Sequence, residues 1–481
     1  MEAGISGARL MRRAASAAWQ ALRTRWPQAT QVIVLAGPGN NGGDGYLLAV
    51  MAQAAGIDTS VFRYGEPPAA GDVAAAYQHC LQQGGRVAAY AEGALAEVGA
   101  GAVIVDALFG IGLSRPLAEP AQQLVAAVAA ARCRGAGVIA LDLPSGLNAS
   151  TGAVLGAAIG ADLTVSFIAP KLGLYTGCGP DYVGELLIAT LDVPAELYQG
   201  THALGRLMAA EELALALPPR RRSAHKGTHG HVLIVGGDSG MAGAALLAAR
   251  AALRAGAGLV SLATRSAHAA TLVSAQPEIM VHGIEDAEAL QPLLERAHAV
   301  AIGPGLGHSA WGQAMLRACA QHPHVLVDAD ALTLLAGADF RNPLAVLTPH
   351  PGEAARLLAC TSAQIQADRL RAVRALAALT SATVVLKGAG SLVQSGDGPV
   401  LICPYGNPGM GVGGRGDARA GTTAAFLRQG LPEAEAAAMG VLAHALAGDA
   451  AAAAGGERGL LPSDLIDALR GVVNPPRAAK P

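Results

Sequence analysis

An apolar run of strand length that ends in a glycine turn and resumes as an alanine-rich helix recurs along this chain. It restricts the possible fold more than any other feature. QVIVLA, residues 31–36, leads into GPGNNGGDG, residues 37–45, and then into a helical run over Tyr46–Ala55. A short apolar run without polar alternation is buried on both faces, as in parallel sheets, whose crossovers are helices. The pattern continues with strands at Ser60–Tyr64, Ala102–Asp106, Val138–Asp142 and Ala161–Ile168, and helices around Val73–Gln83 and Ala121–Arg132. Strand–helix alternation predicts an α/β fold, a mostly parallel sheet covered on both sides.

The alternation breaks near Leu217. PPRRRSAHKGTHG reads as a solvated linker, and His225 and Lys226 within it as linker charges. Val232–Val235 then restarts the pattern, so a second α/β domain begins. It contains strands at Ala299–Ile302, Val325–Val327, Ala345–Leu347 and Thr383–Leu386, and helices after Ala242 and Ala420; Ala450–Ala454 also reads as helix. A chain of 481 residues is too long for one core. The expected limits are 1–205 and 206–476.

Composition narrows the function. With 52% hydrophobic residues, 15% charged residues and 62 glycines, the profile is that of a turn-rich α/β protein. A net charge of −2 lacks the basic footprint of nucleic-acid binding. Six scattered cysteines have no metal-knuckle spacing and suit a reducing compartment. The N-terminus, MEAGISGARLMRR, has no apolar signal core, and no uncharged run reaches the ~20 apolar residues of a membrane span. A cytoplasmic enzyme, with no membrane and no nucleic acid as partner, is expected.

Three strand ends of the first half carry polar chemistry. The glycines after QVIVLA let an anion approach backbone N–H groups at a helix start, while Asn40, Asn41 and Asp44 add oxygens able to hold a cation. VDALFGIGLSRP puts Asp106 at a strand end ahead of Gly110 and Gly112. ALDLPSG puts Asp142 and Ser145 at another, where Asp142 is either a site residue or a turn cap before Pro144. Ligands of open α/β sheets sit beyond the carboxyl ends of the strands, so one crevice is expected.

In the second half, GGDSGMAGA is another strand–glycine–helix turn. GNPGMGVGGRGD sets glycines and a lone Asp417 just ahead of a helix, forming an anion hole with a carboxylate beside it that can take a proton from a substrate hydroxyl. Lys387 follows the buried-type run VVL, where an anion is its natural partner. His350, between two prolines in LTPHPGEAARLL, is a site residue or a packed turn residue.

In order and spacing, NNGGDGY, VDALFGIGL, DLPSG and FIAPKLGLYTG resemble the epimerase domain of bifunctional NAD(P)H-hydrate repair enzymes, from about Gly4 to Pro194. HKGTHGHVLIVGGDSGMAGA, IGPGLG, LTPHPGEAARLL, LKGAGSLV and GNPGMGVGGRGDARAG resemble its ADP-dependent dehydratase domain, a relative of ribokinase-like vitamin kinases, from about Arg206 to Val473. The resemblance implies an N-terminal Rossmann-like three-layer sandwich and a C-terminal ribokinase-like α/β domain. It implies two activities: epimerisation of R- and S-NADHX or NADPHX, and dehydration of the S form to NAD(P)H with ADP converted to AMP and phosphate. The alternative is a ribokinase-like small-molecule kinase fused to a nucleotide-binding regulatory domain.

By resemblance, the hydrated nucleotide in the first domain contacts Asn40, Asn41, Gly42, Gly43, Asp44, Gly110, Ile111, Gly112, Leu113, Ser114, Arg115, Pro116 and Asp142, and K+ is held by Asn41, Asp106 and Ser145. In the second, the hydrate contacts Ala244, Gly305, His350 and Asp417. The adenine nucleotide contacts Lys387, Gly388, Ala389, Gly390, Ser391 and Gly416, with Mg2+ as cofactor. Asp142 and Asp417 are the expected catalytic residues, and Lys171 is either a weaker catalytic candidate or a loop charge near phosphate. A homo-oligomer is implied, a tetramer among its forms.

Two departures stand out. The family carries a further helical segment ahead of EAGISGARLMRRA, and this chain begins inside that region. GRGDARA replaces the usual Gly-Thr-Gly-Asp-Val-Leu, so that Arg415 stands for a small residue and either adds a phosphate contact or crowds one, while Arg419 stands for an apolar residue.

Overall fold

The computed structural model describes residues 5–198, 201, 203–427 and 429–474. The outer domain limits expected at residues 1 and 476, and the start of the first resemblance at Gly4, lie outside them. The chain divides into two compact units between residues 202 and 203.

The first unit holds seven strands: β1 (Gln31–Ala36), β2 (Asp58–Arg63), β3 (Arg86–Ala89), β4 (Ala102–Ala107), β5 (Gly137–Leu141), β6 (Leu163–Phe167) and β7 (Glu185–Ala189). All pair in parallel, in the order β3-β2-β1-β4-β5-β6-β7. Alternation along β1 builds the layers. Val32, Val34 and Ala36 pack with Leu22, Tyr46 and Cys80 from the helices Gly7–Arg25, Asn40–Ala54 and Gly71–Gln82. Ile33 and Leu35 face the other way, with Leu124 and Val128 of the helix Glu119–Cys133. The result is the expected three-layer arrangement.

One local expectation fails. The residues after β1 form a loop only as far as Gly39; the helix starts at Asn40, not at Tyr46. Glycine is a poor helix former by about 1 kcal/mol, so three within the first six helical positions argue for a loop. Packing overrides this, because the helix lies too close to its neighbours for side chains. A methyl at Gly42 would come within 2.0 Å of the Gly37 carbonyl oxygen, one at Gly43 within 2.6 Å of the Met11 sulfur, and one at Gly45 within 2.9 Å of Val34.

The second unit holds β8 (Gly205–Leu207), β9 (His231–Val235), β10 (Leu259–Thr264), β11 (Met280–Gly283), β12 (Ala299–Ile302), β13 (Val325–Val327), β14 (Val346–Leu347), β15 (Thr383–Leu386), β16 (Ser391–Gln394) and β17 (Val400–Cys403). Its sheet runs β11-β10-β9-β12-β13-β14-β15-β16-β17-β8, parallel through β15, with β16 antiparallel to both neighbours and β8 parallel to β17. β8 straddles the expected 205/206 division and belongs wholly to this sheet. Val232, Ile234, Ala299 and Ala301 pack under the helices Ala242–Arg254, Arg415–Leu427 and Glu433–Gly455. The last of these is long and apolar enough to cross a membrane, yet 72% of its apolar window is buried, so packing in this core accounts for its composition.

Candidate active sites

The first site lies where the strand order of the first sheet reverses, beyond the carboxyl ends of β1 and β4. A cavity of about 740 Å³ opens there. The helix Asn40–Ala54 turns Asn40, Asn41 and Asp44 into it; spacings of three and four place them on one helical face. Gly110, Ile111, Gly112, Leu113, Ser114 and Arg115 follow from the loop after β4, Asp142 from the end of β5, and Lys171 from beyond β6. Gly42, Gly43 and Pro116 are not among its lining residues. The two glycines make the helix contacts described above, and the Gly43 N–H is bonded to the Gly39 carbonyl at 3.3 Å.

Asp142 is not a plain turn cap. Its backbone is left-handed, at φ 67°, a conformation L-residues adopt at a cost and that is retained where the surroundings impose it. Its Oδ1 accepts from the Phe167 N–H at 3.2 Å and from the Lys171 ammonium, which also donates to Ser166 Oγ at 3.2 Å and the Phe167 carbonyl at 2.6 Å. Lys171 is thus tied to the acid rather than being a loop charge.

Asn41, Asp106 and Ser145 meet around the Phe109 backbone. Ser145 donates its hydroxyl to Asp106 Oδ1 at 2.6 Å and its N–H to Oδ2 at 2.7 Å, while Phe109 N–H donates to Ser145 Oγ at 2.9 Å. Asn41 Nδ2 donates to the Phe109 carbonyl at 3.3 Å, leaving Asn41 Oδ1 buried without a partner. Burial pushes fully enclosed Asp106 up to about 6 although three donors pull the other way. A carboxylate and an orphaned amide oxygen with no positive charge bonded to them form a donor set that suits a monovalent cation.

The second site gathers on the carboxyl ends of β13, β14 and β15. Lys387 Nζ lies 2.6 Å from Asp328 Oδ1 and 3.4 Å from Glu353 Oε2. Gly416 packs over this pair: a methyl there would stand 3.5 Å from Lys387 Nζ and 3.6 Å from Asp328 Oδ2. Asp417 is the third residue of the helix Arg415–Leu427, so the GRGD turn, like NNGGD, is already helical. Burial first, then the negative charge of Asp328, push Asp417 up to about 7, against the pull of Lys387. Burial also raises Asp328, but Lys387 overcomes it and the carboxyl sits below its ordinary range. Such a carboxyl at position 417 can exchange a proton near neutral pH.

His350 caps the helix Pro351–Leu357. Its Nδ1 accepts from the N–H groups of Gly352 at 2.9 Å and Glu353 at 3.3 Å, and Glu353 returns a bond to the His350 N–H at 2.7 Å. Burial lowers its pKa, and Lys387 adds to this. Ala244 and Gly305 are neighbours: a methyl on Gly305, where φ is +59°, would meet the Met241 carbonyl at 2.6 Å and Ala244 Cβ at 3.1 Å. Beyond Lys387, Gly388 adopts φ +143° with the Arg369 guanidinium where a Cβ would stand, and Ser391 Oγ donates to the Gly388 carbonyl at 3.0 Å.

The two arginines of GRGDARA are both taken up by contacts within the protein. Arg415 is buried and donates to the Leu460 carbonyl, and its own carbonyl lies 3.0 Å from His444 Nε2. Arg419 is buried one turn into the helix, close enough to Asp328 and Glu353 to feel their charge. The first braces the helix start; the second offsets buried carboxylates.

Reading the sequence missed Asp328, Asp330 and Glu353. VLVDADAL carries the signature that found Asp106, an apolar strand ending in a carboxylate, and would have revealed Asp328. Arg369, which donates to the carbonyls of Leu386 and Lys387, stands in a helix with no local signal.

Residues 7–173 match the family model described as YjeF-related protein N-terminus, and residues 232–470 match that of NAD(P)H-hydrate dehydratase. The chain is 44% identical over 478 residues to a protein of Coxiella burnetii named bifunctional NAD(P)H-hydrate repair enzyme Nnr, covering 99% of this chain and 96% of that one. It is 42% identical to the protein of the same name in Escherichia coli, covering 98% and 90%. Among solved structures, ADP/ATP-dependent NAD(P)H-hydrate dehydratase from Bacillus subtilis, co-crystallised with ATP and Mg2+, superposes with a TM-score of 0.51 at 28% identity, over 56% of this chain and 98% of that one. A ribokinase-like superfamily protein from Enterococcus faecalis does so with a TM-score of 0.53 at 30% identity.

Proposed function

This chain belongs to the family of bifunctional NAD(P)H-hydrate repair enzymes, and from that premise we propose how its residues divide the work. It has two activities, an NAD(P)H-hydrate epimerase and an ADP-dependent NAD(P)H-hydrate dehydratase. The unit up to residue 202 carries the epimerase and the unit from residue 203 the dehydratase. The observation supporting this division is that each unit has its own strand-end site with a carboxyl group beside a helix start, Asp142 in one and Asp417 in the other.

In the dehydratase, Asp417 removes the proton from the hydroxyl of the S-hydrate as that oxygen takes the β-phosphoryl group of ADP, releasing AMP. The C–O bond then breaks, its electrons leave with phosphate, and the lone pair of the ring nitrogen restores the double bond. Lys387 and the turn Gly388, Ala389, Gly390, Ser391, with Gly416, hold the nucleotide; Ala244, Gly305 and His350 hold the hydrate. Nucleotide and Mg2+ go together in the solved dehydratase of Bacillus subtilis. Here Asp328, whose Oδ2 is buried without a partner, and Glu353 are the carboxylates suited to such an ion. It would spread the charge of the phosphates in transfer.

In the epimerase, Asn40, Asn41, Asp44, Gly110 through Arg115 and Asp142 hold the hydrate, with Asp142 acting at the hydroxyl-bearing carbon. K+ fits Asn41, Asp106 and Ser145, where its charge would neutralise Asp106 and pin the turn at Phe109. The same reading makes the enzyme cytoplasmic, in keeping with six free cysteines, and a homo-oligomer, which light scattering on the purified chain would measure.

The test follows the near-ultraviolet absorbance of NADH regained from a mixed-epimer hydrate. Complete recovery is expected with ADP, recovery of only the S fraction in Asp142→Ala, and none in Asp417→Asn. Full recovery by either variant would remove that residue from its role.

A further inference from the structure

The cavity of the first unit contains two carboxyl groups with opposite surroundings. Asp44 is only 8% exposed, lines the cavity from the helix that follows β1, and has no hydrogen-bond partner among the described residues. Asp142 lines it from the end of β5 and is bonded to the Lys171 ammonium and the Phe167 N–H. β1 and β5 flank β4, so the two acids reach the cavity from either side of the Gly110–Arg115 loop. A buried carboxyl without a donor is stable when it keeps its proton; one bonded to an ammonium is stable without it. Burial, with Asp142 adding to it, does raise Asp44 well above the ordinary carboxyl range.

We propose that Asp44 and Asp142 are the proton donor and the proton acceptor of the epimerisation, with Lys171 as the residue that positions Asp142. This rests on placing the epimerase chemistry in this cavity. Two acids with divergent environments in one site are the usual arrangement for paired acid and base work.

The step balances as follows. The carbon to be inverted carries the hydroxyl and the ring nitrogen. Asp44 gives its proton to the hydroxyl oxygen, the C–O bond breaks with its electrons on oxygen, and water leaves. The nitrogen lone pair forms a C=N+ bond, which makes the carbon planar. Water adds to the other face, a new C–O bond forms, and Asp142 takes the surplus proton. One water leaves and one enters, and nothing is oxidised or reduced. Asp44 ends ionised and Asp142 neutral, the arrangement that runs the reverse conversion, so the pair serves both directions. Exchange with solvent through the open cavity resets it.

The experiment uses the full chain, with purified R-hydrate of NADH as substrate and epimerisation read as S-hydrate formed above the uncatalysed rate. Asp44→Asn and Asp142→Asn should each lower kcat by about 10²-fold or more, with KM changed only a few-fold. Saturable binding of the R-hydrate should persist in both, showing that the first unit is folded. Lys171→Ala should lose at least 10-fold in kcat, and Lys171→Arg should regain most of that loss. In H₂¹⁸O, every inverted molecule should carry ¹⁸O on the inverted carbon. Turnover by Asp44→Asn within 3-fold of the parent overturns the donor, and inverted product retaining ¹⁶O overturns departure of the hydroxyl. Normal turnover by Asp142→Asn instead overturns the placement of the epimerase site itself.

Discussion

Lys387 lies 2.6 Å from Asp328 although 59 positions separate them along the chain, and this contact sets the charge balance of the proposed dehydratase site. Asp328 and Glu353 both reach the same ammonium, so one cation serves two buried carboxylates while Asp417 stands near them.

Lys387→Ala therefore removes the proposed nucleotide contact and strands two acids. Breaking one partner of a buried ion pair costs about 3–5 kcal/mol. We expect a lower melting temperature, dehydration reduced at least ~10²-fold, and epimerisation retained at temperatures where the variant is folded. Lys387→Ala combined with Asp328→Ala should recover part of the stability but not dehydration, because one of the two stranded charges is gone while the proposed phosphate contact is still missing. Thermal melts and both assays check this.

The pH dependence of dehydration follows from Asp417, which is held up at about 7. As a base it works when ionised, so kcat/KM should rise with pH through about 7. The stability sign is opposite. A carboxyl whose folded pKa lies above its unfolded one stabilises the fold through its proton, and that contribution is lost as pH rises through the folded pKa. Asp417→Asn should melt with the parent near pH 4 and above it at pH 8. The gain should be about 1–2 kcal/mol, since a pKa unit corresponds to about 1.4 kcal/mol and partial exposure screens the group.

Gly42 and Gly112 separate packing from binding. A methyl at Gly42 meets the Gly37 carbonyl oxygen at 2.0 Å, whereas one at Gly112 has nothing within 4 Å. Gly42→Ala should destabilise the first unit by roughly 1–3 kcal/mol in a denaturant titration, and Gly112→Ala by less than about 0.5 kcal/mol. Gly112→Ala should act on KM for the hydrate, since that residue lines the cavity.

Arg369 supports the turn after β15 from below. Its guanidinium bonds the carbonyls of Leu386 and Lys387 and fills the space beside Gly388, and burial lowers its pKa to about 10. Arg369→Met leaves two buried carbonyls short of donors, at about 1–3 kcal/mol each as an upper range. We expect the KM for ADP to rise more than 10-fold with a smaller fall in kcat, measured at saturating hydrate.

Cation binding at Asp106 is testable without turnover. An ion that binds only the folded state stabilises it by mass action. Replacing choline by K+ at constant ionic strength should raise the melting temperature of the parent, and should not do so in Asp106→Asn, whose side chain lacks the negative charge.

Much of this was readable from the chain itself. Apolar runs ending in a carboxylate mark β4 and β5 and with them Asp106 and Asp142. The glycine-flanked acid before an alanine-rich helix marks Asp417, and the run VVLK marks Lys387. These signals are local: period, strand length and turn residues within about ten positions determine them. Motif order along the chain was enough to indicate the family, which the full-length relatives bear out.

The tertiary structure decided what depends on distance between elements. It places the glycines at 42, 43 and 45 in a tightly packed helix rather than an open loop, since only the position of Gly37, Met11 and Val34 can exclude a side chain there. It turns Lys171 onto Asp142, Arg415 onto Leu460, and Asp328 with Glu353 onto Lys387. The physical reason is that spacing and propensity act over a few residues, whereas an ion pair or a close approach is fixed by where separate strands and helices end in space.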